Sequence, residues 1–275
     1  MILRDLLTQG ADTLQKAGVN EPGLDAWYLL SYCMGITKSR YYMIQDNIPD
    51  DNIIQRYNDL ICERSSRKPL QYITGTQEFM GLAFEVNENV LIPRQDTEVL
   101  VELAMEFCQG RRVLDMCTGS GCIAVSISVL GSPESVEASD ISETALELAE
   151  KNAAKNNAAV SFIVSDIWDS ITGEYDVIIS NPPYITADEM EKLMPEVGMY
   201  EPETALFGGF DGLAMYKRIA VGAGGHLVSS GYIFLEIGCN QAAAVSDILE
   251  RNGFEDIRTE KDLSGLDRVV WARKK

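Results

Sequence analysis

Two periodicities divide this chain of 275 residues. Over residues 1–72 apolar side chains recur at helical spacing, as in Leu3, Leu6, Leu7 and Leu14, then Leu24, Trp27, Tyr28 and Leu30. Gly18 and Glu21-Pro22-Gly23 separate those two helices. Asp50-Asp51 is placed to cap another that carries Ile53, Ile54, Tyr57 and Leu60. No strand pattern and no chemical motif occurs here, so the segment reads as a small all-α packing domain. Residues 73–92 carry strand signals instead. Ile73-Thr74-Gly75 and Phe79-Met80-Gly81 precede the alternating Leu82-Ala83-Phe84-Glu85-Val86, and Asn87-Glu88-Asn89 reads as a turn before Val90-Leu91-Ile92. This pattern predicts a β-hairpin joining two domains.

Beyond residue 93 the pattern becomes an alternation of buried strands and amphipathic helices. A helix is expected over Val99–Phe107, capped by Asp96 or Thr97. Strands are expected at 112–115, 136–140, 160–166, 175–180, 231–237, 254–259 and 268–272. Helices are expected at 122–130, 142–156 and 242–252. Such alternation implies an α/β fold, a doubly wound and mostly parallel sheet of seven strands. The last two strands are close enough for a hairpin, so one of them is expected to run antiparallel. The expected division is therefore 1–72, 73–92 and 93–275.

Chemistry gathers where the strands end. Cys117-Thr118-Gly119-Ser120-Gly121 follows the first strand and opens a helix, and Asp140 ends the next strand about 20 residues on. Glycines permit close backbone approach, and a carboxylate there accepts from ribose hydroxyls, so an adenosine-containing cofactor is expected. A nicotinamide dinucleotide fits those marks too. Asp115, just before the loop, argues against its pyrophosphate and suits a cationic aminoacyl group. S-adenosyl-L-methionine carries both an adenosine and such a group. Asp166 is placed to accept from the adenine amino group, with Ile167 and Trp168 to cover the ring and Ile141 beside the ribose site.

The fourth strand ends in Asn181-Pro182-Pro183-Tyr184. Neither proline has an N–H, and each holds the preceding residue extended. The result is a stiff loop that offers the Asn181 amide, the Pro182 carbonyl and the Tyr184 ring. Two acceptors on a rigid loop suit an amide or an exocyclic amine, whose nitrogen carries two donors. A plain proline turn at a strand end is the simpler alternative.

Composition narrows the partners. The net charge is −19. Residues 1–72 hold 8 basic and 9 acidic side chains, the rest 15 basic and 33 acidic. Tracking a nucleic-acid backbone is not expected of such a surface; the one small basic cluster is Arg64, Arg67 and Lys68. Six cysteines without a C-x-x-C pair and a single histidine, His226 at an expected strand start, predict no metal site and no disulfide framework. No apolar run approaches the roughly 18–20 residues that span a bilayer, and no signal-peptide pattern occurs at the N-terminus. These features lead to the expectation of a cytoplasmic protein with no membrane partner and no direct nucleic-acid contact, and a monomer is expected.

Taken together, Leu91-Ile92-Pro93-Arg94-Gln95-Asp96-Thr97-Glu98, the Asp115 glycine loop and Asn181-Pro182-Pro183-Tyr184-Ile185 resemble the HemK/PrmC family over nearly the whole chain. Pro195-Glu196-Val197, Glu201-Pro202 and Gly208-Gly209-Phe210-Asp211-Gly212-Leu213 add to the likeness. The family usually has Gly at Cys117 and Pro at Gln95. The resemblance implies a Rossmann-like class I S-adenosylmethionine-dependent methyltransferase that modifies the glutamine of a Gly-Gly-Gln motif in peptide chain release factors, forming S-adenosyl-L-homocysteine. It implies that Asn181 and Pro182 hold the glutamine amide and that Pro183 borders it. Tyr184 and Phe79 would wall the pocket, Arg94 and Glu98 would brace the site, and the helical domain would dock the release factor. Two other readings share parts of the pattern, an adenine-amino DNA methyltransferase and a non-catalytic cofactor-binding protein.

Overall fold

A computed structural model describes all 275 residues. They separate into two units, Met1–Gly75 with Met194–Tyr200, and Thr76–Leu193 with Glu201–Lys275. No helix is long and apolar enough to cross a membrane.

The first unit contains α1 (Leu3–Lys16), α2 (Pro22–Met34), α3 (Lys38–Ile44), α4 (Asp51–Ser65) and α5 (Leu70–Thr74). Its core is Leu3, Leu6, Leu14, Leu29, Leu30, Tyr57 and their neighbours. Ile73-Thr74 closes α5 and starts no strand: Pro69 stands at the N-cap and Gly75, with φ 74°, ends the turn in a left-handed cap. The segment Met194–Tyr200 is held here by charge. Glu196 accepts from Arg67 at 2.7 and 2.6 Å and from Arg64 at 2.9 Å, and Arg64 also donates to Asp25 at 2.7 Å. Burial works to raise the Glu196 carboxyl, but the two guanidiniums outweigh it and hold the group at about 2.

The second unit opens with the hairpin β1 (Thr76–Phe79) and β2 (Leu82–Glu85), turning at Met80-Gly81. The hairpin is part of this unit's core. Asn152 accepts from Glu85 N at 2.7 Å and donates to Glu85 O at 3.0 Å, and Phe79 packs edge-on against Phe84. Residues 90–92 form no strand. Ile92 N–H donates to the Glu201 carboxylate at 3.4 Å instead of to a ladder, and Pro93 prevents continuation.

There follow α6 (Gln95–Met105), β3 (Arg112–Met116), α7 (Cys122–Leu130), β4 (Ser135–Asp140), α8 (Glu143–Lys155), β5 (Ser161–Val164), β6 (Tyr175–Ser180), the short α9 (Ala187–Met190), α10 (Pro195–Gly198, in the segment of the first unit), α11 (Ala214–His226), β7 (Leu227–Glu236), α12 (Ala242–Arg251), β8 (Phe254–Lys261) and β9 (Asp267–Lys274). The seven strands lie in the order β5-β4-β3-β6-β7-β9-β8. All neighbours are parallel except those of β9, which runs antiparallel to β7 and β8. The expected antiparallel strand is thus the last one.

Alternation along the strands builds two cores. Val113, Val177, Ile179 and Phe234 face α6 and α7; Leu114, Ile178, Ile233 and Leu235 face α11 and α12. Strand order reverses direction between β3 and β6. The crevice beyond their carboxyl ends is where an open α/β sheet takes a ligand.

Candidate active site

A cleft of about 950 Å³, open solvent at its mouth included, lies at that reversal. Its walls include Val90, Leu91, Pro93, Arg94 and Thr97, the loop after β3, the ends of β4 and β6, and Pro202, Thr204 and Ala205. Of the residues singled out from sequence, Cys117, Thr118, Gly119, Ser120, Asp140, Ile141, Asp166, Ile167, Arg94, Asn181 and Pro183 stand on its wall.

The glycine loop is shaped by backbone requirements. Cys117, Gly119 and Gly121 have φ of 62°, 54° and 80°, the left-handed region where a β-carbon is unwelcome. A β-carbon at Gly121 would sit 3.0 Å from Ala149 Cβ, so the loop lies flat on α8. Nothing stands within 4 Å of a β-carbon at Gly119. The loop therefore leaves free space on its cleft side, as close approach of a ligand requires.

Asp140 holds this loop. Its carboxylate accepts from Gly119 N–H and Ser142 N–H, each at 2.9 Å. Burial raises its carboxyl, and those N–H groups work against the rise. Each oxygen keeps a further lone pair for a hydroxyl donor.

Asp115 differs from expectation. It is fully buried beneath the loop and off the cleft wall, because in β3 it shares the face of Val113, under α7. One oxygen accepts from the Thr118 hydroxyl at 2.5 Å and from Ala124 N–H at 3.1 Å; the other has no partner. Burial pushes the carboxyl up to about 7 against those two hydrogen bonds. Asp115 shapes the loop from below.

The adenine-side residues divide. Asp166 is on the wall, paired to Arg218 at 2.9 Å. Ile167, also on the wall, has φ 55°, a costly conformation for a β-branched residue. Ser165 fixes it by donating to Ile167 O and accepting from Ser170 N–H, both at 3.0 Å. Trp168 turns away from the cleft. Its ring stacks on His226 at 4.7 Å and 2°, its indole N–H donates to Arg218 O at 3.1 Å, and Gly222 leaves it room. His226 ends α11 just before the strand, so the sole histidine serves this packing.

The proline loop leaves β6 at Ser180, whose hydroxyl donates to Met116 O at 2.7 Å. Its neighbours bypass the Pro182 carbonyl: Ile185 N–H donates to Leu206 O, Gly208 N–H to Ile185 O, and Gln241 to Tyr184 O. Asn181 Nδ2 donates to Thr97 Oγ1 at 3.3 Å. Tyr184 stands behind the loop and not on the cleft wall, with its hydroxyl 3.4 Å from Glu236. Phe79 is likewise no wall of this cleft. It is 1% exposed and belongs to the hairpin core, because it packs with Phe84 on the inward face.

Arg94 and Glu201 form an ion pair between two sides of the cleft. Glu98 accepts from Met80 N–H at 2.7 Å and so holds the hairpin turn. Four partners had no site role in the sequence: Thr97 and Glu201, which stood out only as parts of motifs, and Glu236 and Arg268. Helix α6 begins at Gln95 with Arg94 as its cap, so neither Asp96 nor Thr97 caps it. Asp96 lies 3.2 Å from Arg268 instead. Glu236 was detectable in principle, as a carboxylate closing the apolar run Tyr232–Leu235.

The chain matches two family models, PrmC N-terminal domain over residues 5–75 and Methyltransferase small domain over residues 95–197. It is 40% identical to the release factor glutamine methyltransferase of Fusobacterium nucleatum, over 98% of this chain and 78% of the relative. The corresponding protein of Clostridium botulinum is 39% identical over 100% of both chains. The chain belongs to the release factor glutamine methyltransferase family.

The family's catalytic fold is also that of more distant solved structures. A methyltransferase from Pyrococcus furiosus matches with TM-score 0.56 at 20% identity, over 71% of this chain and 90% of that one. A Thermus thermophilus 16S rRNA N2 G1207 methyltransferase, solved with AdoMet and guanosine, matches with TM-score 0.54 at 18% identity, over 73% and 50%. The second unit therefore has the class I S-adenosylmethionine-dependent methyltransferase fold.

Proposed function

We propose that this family member methylates the side-chain amide nitrogen of the glutamine in the Gly-Gly-Gln segment of peptide chain release factors. The observation that carries this reading is the Asn181 amide on the cleft wall, borne by a rigid proline loop whose backbone hydrogen bonds bypass the Pro182 carbonyl. When bound, S-adenosyl-L-methionine supplies an electrophilic methyl group and leaves as S-adenosyl-L-homocysteine. The residues present fit it: the open side of Gly119 for close approach, Asp140 and Ile141 for the ribose, and Asp166 with Ile167 for the adenine.

Asn181 Oδ1 and the Pro182 carbonyl accept the two N–H groups of the glutamine amide. With both held in one plane, the nitrogen lone pair stands perpendicular to that plane and faces the cleft. Orientation of this kind supplies much of a rate enhancement. As the nitrogen gains its fourth bond it turns positive, and the two acceptors stabilise that charge until a proton is lost. Pro183 borders the amide, and Tyr184 supports the loop from behind.

The helical unit docks the release factor away from its glutamine. The protein works in the cytoplasm as a monomer and needs no direct contact with nucleic acid. Transfer of labelled methyl from S-adenosyl-L-methionine tests the reading. Label on the Gly-Gly-Gln glutamine of an intact release factor is expected. Label on DNA, or on neither, would overturn it. Deletion of residues 1–72 tests docking: transfer to the intact factor should fall further than cofactor affinity.

A further inference from the structure

We infer that Gln241 is a positioning residue for the Asn181-Pro182 loop, acting through the Tyr184 carbonyl from behind the cleft. The inference rests on the proposed reaction for its kinetic consequence, though not for its geometry. Gln241 is the N-cap of α12, yet its side chain makes no capping hydrogen bond. Ser, Thr, Asp and Asn are preferred at such a position, because a short side chain reaches the free N–H groups of the first turn. The Gln241 amide turns back to the loops instead. Its Nε2 donates to Tyr184 O at 3.0 Å and to Gly212 O at 3.3 Å, and its Oε1 accepts from Gly238 N–H at 2.9 Å.

These partners fix which way round the amide lies. A backbone carbonyl only accepts and a backbone N–H only donates, so the NH2 end faces Tyr184 and Gly212 and the oxygen faces Gly238. The Tyr216 hydroxyl, which donates to Glu236 O at 2.8 Å, lies 3.4 Å from the same Oε1. Glycine leaves the amide its room. A β-carbon would stand 2.5 Å from Nε2 at Gly212 and 3.0 Å from Oε1 at Gly238. The loop so held is short of other supports. Pro182 and Pro183 have no N–H, so no ladder bond can anchor its middle. Its near end is anchored where the Ser180 hydroxyl donates to Met116 O at 2.7 Å. Its far end is anchored at Tyr184 O by Gln241, 57 positions away. The next bonds, Ile185 N–H to Leu206 O and Gly208 N–H to Ile185 O, both at 2.9 Å, continue from that anchor. Neither Gln241 nor Tyr184 lines the cleft. Loss of the tie therefore releases the two acceptors and leaves the cofactor's residues in place.

Gln241→Glu tests this. Its carboxylate keeps the acceptor for Gly238 N–H, and a negative charge suits a helix N-terminus. It has no proton for the two carbonyls. In the cofactor-free protein, hydrogen exchange at Ile185 and Gly208 N–H should quicken about tenfold or more. Exchange at Ile178 and Ile179, inside β6, should stay as in wild type. In turnover, kcat should fall roughly 10–100-fold, with the Kd for S-adenosyl-L-methionine and the release-factor KM nearly kept. A merely structural role would quicken exchange in β6 as well and would not separate kcat from Kd. Should Gln241→Glu fold poorly, Gln241→Met carries the same test, since it removes both donors at similar size. Wild-type exchange at Ile185 and Gly208 would overturn the tie. Faster exchange there with wild-type kcat would overturn the positioning role. If wild type itself transfers no methyl to a release factor, the reaction fails and the kinetic role with it, while the exchange rates still decide the tie.

Discussion

Gly208 lies against the backbone of Tyr184 so closely that a β-carbon on it would sit 2.6 Å from Tyr184 Cα and 2.6 Å from the Pro183 carbonyl oxygen. Both obstacles are backbone, so neither can swing aside. The loop after Phe207 thus clamps the proline loop, with Gly208 N–H donating to Ile185 O at 2.9 Å. Gly208→Ala should displace Asn181 and Pro182 and lower kcat by about 100-fold. Overpacking of this kind should also cost about 1–3 kcal/mol of stability. Cofactor affinity should change far less. Calorimetric titration beside steady-state turnover checks the split.

Asp140→Ala removes two supports together, an acceptor for ribose hydroxyls and the anchor of Gly119 N–H and Ser142 N–H. Hydrogen bonds to a charged group are worth roughly 1.5–3 kcal/mol, so Kd for S-adenosyl-L-methionine should rise at least about tenfold. An unchanged Kd by calorimetry would remove Asp140 from the cofactor site.

Asn181→Ala should lose about 10²–10³ in kcat, the cost of a comparable preorganised polar contact. The fold should stay intact, because Asn181 is half-buried at a strand end and its one protein partner is Thr97. Near-wild-type transfer to a release factor by this variant, measured with labelled methyl, would sink the proposed mechanism.

Arg64 is 7% exposed between Asp25 and Glu196. Arg64→Ala leaves two carboxylates short of a partner in a buried site and should destabilise the helical unit by about 3–5 kcal/mol. Denaturant unfolding of the full chain, followed by circular dichroism, measures the shift.

Asp115 and Glu236 give the stability a pH dependence. Burial raises both carboxyls to about 7, from ordinary values of 3.8 and 4.5. The folded state then holds protons that the unfolded chain releases, so stability is greater when these groups are protonated. The gain is full below about pH 4 for these two groups and is lost as pH rises through 7. The thermal midpoint of the cofactor-free protein should therefore fall between about pH 5 and 8. Glu236→Gln should flatten that slope, and an unaltered slope would discount Glu236 as its source.

Local pattern alone determined the kind and order of most elements. Helix Cys122–Leu130 and strand Tyr175–Ser180 fall where the apolar runs and their flanking glycines and prolines put them. Strand direction, the glycine loop, Asp140 and the proline loop were equally legible, because backbone freedom and its loss are properties of consecutive residues. Tertiary packing decided the rest. The one-turn helix at Ile73-Thr74, the side-chain pairing that replaced a strand at 90–92, the burial of Asp115, the inward turn of Phe79 and the stacking of Trp168 on His226 depend on which surfaces meet. The partners that fix the site are also remote in the chain. Arg94 and Glu201 are 107 positions apart, and Asn181 and Thr97 are 84 apart. No local spacing encodes such pairs. Strand order brings the ends of β3, β6 and β7 to one edge, and the contact of Asn181 with Thr97 comes into being only there.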